Sequence, residues 1–246
     1  MHRFHFLLLS ALLCSTLAIA QPTYKLGLRG GANRATTTLD AASSGANGSY
    51  TYSANKSGLY AWQGGVVLDI AVRNLSIQPA LLFSQKGEIF RTQMLMSGVA
   101  GTNILDSRRT SRSNWLELPM NAVYTVHGFQ VFGGPYVALA VRGRAHGVSK
   151  FTSSAPIVGP AESAYGSRIY YGAKTENRRL DAGLNFGVGY QRGPLQVQLG
   201  YGVGLRNLHQ QPDIYIIGEN PDYIWFETHA AYNRVVQLTG TYFFEL

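Results

Sequence analysis

Ala231–Leu246, AYNRVVQLTGTYFFEL, is the stretch whose reading decides the fold. Taken two residues at a time, it puts Tyr232, Val236, Leu238, Gly240, Tyr242, Phe244 and Leu246 on one face, and Asn233, Gln237, Thr239, Thr241 and Glu245 on the other. A period of two belongs to a β-strand, whose successive side chains point to opposite faces. The apolar face gathers aromatics toward its end, which suits a strand with lipid on one side and a polar interior on the other.

The same alternation recurs upstream. Tyr24, Leu26 and Leu28 oppose Lys25, Arg29 and Asn33; Tyr60, Trp62, Val66, Leu68, Ile70 and Val72 oppose Gln63, Asp69 and Arg73. Leu75, Ile77, Pro79, Leu81 and Phe83 oppose Ser76, Gln78, Ser84 and Lys86, with Pro79 unable to donate to a ladder. A fourth strand from Ser113 to Val126 turns outward Leu116, Leu118, Met120, Ala122, Tyr124 and Val126, and inward Glu117, Asn121 and Thr125. A fifth sends Phe129, Val131, Val137, Leu139 and Val141 out and Gln130, Tyr136, Arg142 and Arg144 in. The regular runs 180–191 and 195–206 supply two more, with glycines, Asp181, Asn185, Gln196, Gln198 and Arg206 on the inner face.

Asn74, His127-Gly128 and Arg192-Gly193-Pro194 are tight turns at one end. Longer polar segments, 34–57, 92–112, 145–178 and 207–228, join the strands at the other, and Arg168 to Lys174 is read as prolonging a hairpin. The expectation is an all-β, eight-stranded antiparallel up-and-down transmembrane barrel with short periplasmic turns, long extracellular loops and both termini in the periplasm.

The chain of 246 residues needs no second domain. Arg3 and His5 precede an apolar run that ends in Ala18-Ile19-Ala20, so residues 1–20 are expected to be a signal peptide cleaved after Ala20, leaving 21–246 as the barrel. Cys14, the one cysteine, would leave with it, which excludes a disulfide framework, thiolate metal site or cysteine nucleophile in the mature chain. Losing Arg3 from a net charge of +8 leaves about +7. These charges are scattered along an exported chain, so anionic lipid headgroups, not nucleic acid, are the expected counterpart.

A soluble lipocalin-like barrel would share the alternation with its faces reversed. It would have to place most of the large aliphatic residues of eight strands in one small lumen, and an eight-stranded barrel holds little beyond its own side chains. Lys25, Arg29, Asp69, Lys86, Glu117, Arg142, Asp181, Arg206 and Glu245 all fall on the polar face, whereas a lipid-facing Arg or Lys at mid-bilayer costs about 2–4 kcal/mol. Arg234 is the exception and is expected near the outer interface, where it can snorkel.

Trp115-Leu116-Glu117-Leu118-Pro119, Gly133-Gly134-Pro135-Tyr136, Asp181 to Tyr190 (DAGLNFGVGY) and Tyr201 to Asn207 (YGVGLRN) resemble the PorT-like outer-membrane β-barrel domain family of Bacteroidetes, and Leu28 to Asn33 (LRGGAN) fits the same pattern. The resemblance covers essentially all of the mature chain. It implies an eight-stranded outer-membrane barrel and brings no assigned activity.

The inward charges are the informative chemistry. Lys86, Glu117, Arg142, Asp181 and Arg206 are expected at comparable heights, as one ion-pair network plugging the lumen. Lys25 and Glu245 are expected to meet at the seam between the first and last strands. Arg108, Arg109 and Arg112 suit headgroup phosphates, and Tyr223, Trp225 and Phe226 suit a protein contact. No metal-ligand spacing and no cofactor motif is present, so no catalytic, metal or cofactor-binding residue is assigned. The function expected is non-enzymatic, structural or interactive at the cell surface, with outer-membrane lipid and lipopolysaccharide and an envelope protein as partners. A narrow porin-like channel is the alternative. A loop-borne hydrolase built on His229 and Glu227 is the more distant one.

Overall fold

The computed structural model describes residues 21–38, 50–98, 101–154, 159–172, 175, 177–209, 213–217, 224–228 and 230–245. The expected signal peptide lies outside them. Among the described residues there are eleven strands: β1 (Thr23–Thr37), β2 (Tyr50–Val72), β3 (Leu75–Gly98), β4 (Gly101–Val126), β5 (Phe129–Ser153), β6 (Ala161–Ile169), β7 (Leu180–Arg192), β8 (Leu195–Gly204), β9 (Asp213–Ile217), β10 (Ile224–Thr228) and β11 (Asn233–Glu245). The ring runs β1–β2–β3–β4–β5–β7–β8–β11 and closes where β11 pairs antiparallel with β1. The barrel is therefore eight-stranded and up-and-down, with β6 added to the upper part of β5 and β9–β10 forming a separate hairpin.

Sequence dictates the wall directly. Leu116, Leu118, Met120, Tyr124 and Val126 on β4, and Phe129, Val131, Val137, Leu139 and Val141 on β5, are exposed on the outside. From Leu116 to Val126 is ten residues, about 34 Å along the strand and about 26 Å in height at a tilt near 40°, the height of the apolar band of a membrane barrel. Pro79 sits within β3 with the same register on both sides of it. At the turns, Arg73 and His127 adopt φ of 56° and 51°, and Gly128 and Gly193 also have positive φ.

Several segments expected as loops are strands. β3 and β4 stay paired through 92–112 up to Gly98↔Gly101, and β5 continues to Ser153. β1 likewise reaches Thr37, and β2 begins at Tyr50. The 207–228 region contains the β9–β10 pair, with Ile224↔Ile217 and Thr228↔Asp213. For the extensions of β1 to β5 the reason is that a sheet standing clear of lipid needs no apolar face, so the period-two signal disappears while backbone pairing continues.

Two register shifts interrupt the ring, one on β2–β3 between Gly58 and Gln63, and one on β4–β5. In the second, Trp115 pairs with Ala140 while Asn114 pairs with Arg142, leaving Val141 as an extra residue. Such a bulge flips the alternation beyond it.

Candidate functional site: the polar lumen and the sheet above it

Inside the ring the side chains form two polar tiers. The tier nearer the tight turns centres on Arg29 of β1. Its Nε donates to Thr241 Oγ1 at 2.9 Å, and its Nη2 to Gln196 Oε1 at 3.1 Å and Gln78 Oε1 at 3.3 Å. Gln78 Nε2 in turn donates to Asp69 Oδ1 at 3.0 Å, so an amide bridges the buried charges. Gln196 Nε2 donates to Gln130 Oε1 at 2.9 Å, and Gln130 Nε2 reaches Gln191 at 2.9 Å and Thr125 at 3.2 Å. With Thr125 on β4 and Gln191 on β7, this chain of bonds touches every strand of the ring.

The second tier holds Lys86, Glu117 and Asp181. Lys86 Nζ lies 2.7 Å from Glu117 and 3.9 Å from Asp181, and all three are buried. Asp181 Oδ2 also accepts from Asn233 Nδ2 at 2.7 Å and from the Tyr136 hydroxyl at 3.0 Å. Lys86 sits over the Tyr136 ring at 4.8 Å from its centroid. The Lys86–Glu117 pair and the two hydrogen bonds to Asp181 Oδ2 offset part of the cost of burying these charges, while Asp181 Oδ1 is buried without a hydrogen bond among the described residues.

Arg142 and Arg206 do not join this tier. The bulge at Val141 carries Arg142, and Arg144 with it, to the outside, where both are exposed. Arg206 lies past the last ladder pair of β8 and forms no ion pair among the described residues; Asn233 and Tyr136 occupy the expected place beside Asp181.

Between the tiers, Gln63 bonds Gln237 at 3.0 Å and Asn33 bonds Ser84 at 3.1 Å. Among the described residues a cavity lined by residues that include Arg29, Glu117, Asn121 and Phe132 measures about 20 Å³, room for roughly one water. Phe132 fits because the facing positions are glycines: a Cβ on Gly187 would meet Phe132 at 2.7 Å and the Leu199 carbonyl oxygen at 2.2 Å. Above the second tier, Tyr171 and Leu208 close over Trp115, with the Tyr171 hydroxyl hydrogen-bonded to Ser113 and its ring edge-on to Trp115 at 5.9 Å. Burial pushes the Tyr171 phenol above the ordinary tyrosine range, and the Ser113 bond acts the other way without cancelling it.

Lys25 and Glu245 are register partners at the seam, 3.4 Å apart. Of the expected contact arginines, Arg108 and Arg112 share the outer face of β4, whereas Arg109 has the opposite parity and faces the side of Ser107 and Ser113. Trp225 and Phe226 lie on β10 opposite Ile216 and Tyr215; Tyr223 is outside the described residues, as is His229. Arg234 reaches from the outer face to the carbonyl oxygens of Gly204 at 3.0 Å and Asn233 at 2.8 Å, close to the rim. Among the described residues no group of three or more metal-ligating side chains gathers.

The Arg29 tier escaped the sequence because glutamines carry no charge signal. The available clue was their placement: Gln78, Gln130, Gln196 and Gln198 all sit on inner faces within a few residues of a tight turn.

A closed antiparallel ring with an apolar outside and a hydrogen-bonded polar inside is what a membrane-spanning β-sheet requires. Residues 19–210 match the family model described as outer membrane protein beta-barrel domain. The chain belongs to that family. It is an outer-membrane β-barrel protein. Among solved structures it is similar to OprG from Pseudomonas aeruginosa, with 10% identity and a TM-score of 0.40, covering 92% of this chain and 99% of that one. Neisserial surface protein A is similar at 10% identity and a TM-score of 0.35, covering 91% and 99%. The outer membrane protease OmpT from Escherichia coli is similar at 9% identity and a TM-score of 0.27, covering 91% and 96%. No curated protein matches the sequence.

Proposed function

We propose that this protein is a non-enzymatic scaffold of the outer membrane: a barrel sealed by its own side chains, holding up a sheet at the cell surface for contact with an envelope or surface protein. The observation that carries the reading is the Arg29 network, which engages all eight strands across the lumen. A lumen filled this way has no continuous water path.

The orientation belongs to the same proposal. Tight turns at one end and long hairpins at the other support periplasmic termini and an extracellular β2–β6 sheet. Residues 1–20 act as the export signal and are removed after Ala20. The motifs on β4, β5, β7 and β8 support a place among PorT-like barrels of Bacteroidetes.

The test is conductance of the folded protein in planar bilayers, with folding checked by a heat-dependent gel shift. The sealed scaffold predicts a folded protein with no steady current steps. Salt-dependent single-channel steps would overturn it and put the narrow channel first.

A further inference from the structure

We propose that Arg112, Arg144, Arg168 and Arg142 form a binding site for the phosphate groups of a glycolipid in the outer leaflet, on the outer wall just above the apolar band.

Cross-strand register builds the site in rungs. The last fully apolar rung is Phe83–Leu116–Leu139. The next is Gln85–Asn114–Arg142, and the one above it is Gly87–Arg112–Arg144–Arg168, running across β3, β4, β5 and β6. Each rung adds two residues, about 6.8 Å along the strand or about 5 Å of height at a tilt near 40°. Arg142 thus stands about 5 Å, and the other three about 10 Å, above the hydrocarbon edge. A headgroup layer is about 5–7 Å thick on each side, and arginine stems can lean back toward it.

Opposed residues on neighbouring strands share a face with Cβ atoms about 4.5–5.5 Å apart, and like charges so placed repel. Arg112 opposes Arg144, and Arg144 opposes Arg168. All four arginines are exposed, and none makes a side-chain hydrogen bond or ion pair among the described residues. The acidic residues of this face on β3 to β6 are Asp106 and Glu162, three rungs higher. They are engaged by Gln93 at 2.8 Å and Lys150 at 3.1 Å. Among the described residues the cluster therefore has no protein counter-charge at the height where lipid phosphates lie, and guanidinium groups match phosphate oxygens in pairs. The bulge at Val141 is the enabling feature, since regular alternation would have turned Arg142 and Arg144 into the lumen.

The inference rests on the proposed orientation but not on whether the lumen conducts. Its test uses the full mature chain folded into zwitterionic vesicles containing either lipid A with both phosphates or dephosphorylated lipid A, present in both leaflets so that orientation does not affect the reading. The heat-modifiability midpoint is followed as lipid A is titrated. The expected result is a rise with phosphorylated lipid A only, and a loss of apparent affinity on the order of tenfold or more in the Arg112→Gln/Arg144→Gln/Arg168→Gln variant. Without lipid A that variant should be at least as stable as the wild type, because the repulsion is gone. Arg144→Gln alone supplies a milder version, and Arg109→Gln, on the other face, should behave as wild type. Equal responses of wild type and triple variant, or equal responses to both lipids, would overturn the proposal. So would saturation of the wild-type response by inorganic phosphate alone, which would assign the site to a soluble anion. Failure of the orientation shows separately, as absence of surface labelling in whole cells.

Discussion

Replacing Arg29 by Met should destabilise the barrel more than any other single lumen substitution that conserves volume. Arg29 makes three side-chain hydrogen bonds, to Thr241, Gln196 and Gln78, inside a buried tier. Charge-assisted bonds of this kind contribute about 1.5–3 kcal/mol each, so about 5–9 kcal/mol of gross interaction is removed. The variant no longer bears the desolvation cost of a buried guanidinium, and the freed glutamine amides can reorient toward one another, which offsets part of the loss. Asp69 works the other way: its charge stays buried, bonded to Gln78 but without the cation that Gln78 links to it. Removing one partner of a buried charge pair typically costs about 3–5 kcal/mol, and that is the expected net effect. The assay is reversible urea unfolding from lipid vesicles, read by tryptophan fluorescence and the gel shift. Adding Asp69→Asn to Arg29→Met should recover more than about 1 kcal/mol of this loss, because the two charges are coupled through Gln78. A loss below about 1 kcal/mol, or strict additivity of the two substitutions, would refute the idea that this tier holds the ring together.

Four further outcomes follow from the same geometry. Gly187→Ala should prevent formation of the heat-resistant form, since its Cβ would lie 2.2 Å from the Leu199 carbonyl oxygen; Gly30→Ala, with nothing within 4 Å, should fold normally in the same gel assay. Lys25→Glu should shift stability by less than about 1 kcal/mol in urea titration, because the 3.4 Å seam pair is solvent-accessible. Ser163→Cys, on the exposed β6, should react with a membrane-impermeant maleimide on intact cells, and labelling only after the outer membrane is opened would reverse the orientation. The stability contributed by the neutral Tyr171 phenol should be intact below the ordinary tyrosine range and lost as pH climbs through its raised value, a decline that Tyr171→Phe should flatten in pH-dependent unfolding.

The sequence by itself determined the wall. A side chain facing lipid and one facing a polar lumen differ so much in transfer free energy that every lipid-crossing strand records the difference with period two, and β1, β4, β7, β8 and β11 read off directly from it. It also placed Lys25 opposite Glu245, because a ring of eight strands brings the first strand beside the last and parity does the rest. Three matters belonged to the tertiary structure alone. Strands that leave the membrane lose their apolar face, so the continuation of β3, β4 and β5 into a tall sheet, with β6 along its edge, left no periodic trace. The bulge at Val141 reverses faces through backbone pairing rather than composition, and so moved Arg142 and Arg144 from the lumen to the outer wall. The Arg29 tier depends on which glutamines, from strands far apart in the chain, arrive at one height in the closed ring. That height is set by the stagger of all eight strands together, a quantity no single strand encodes.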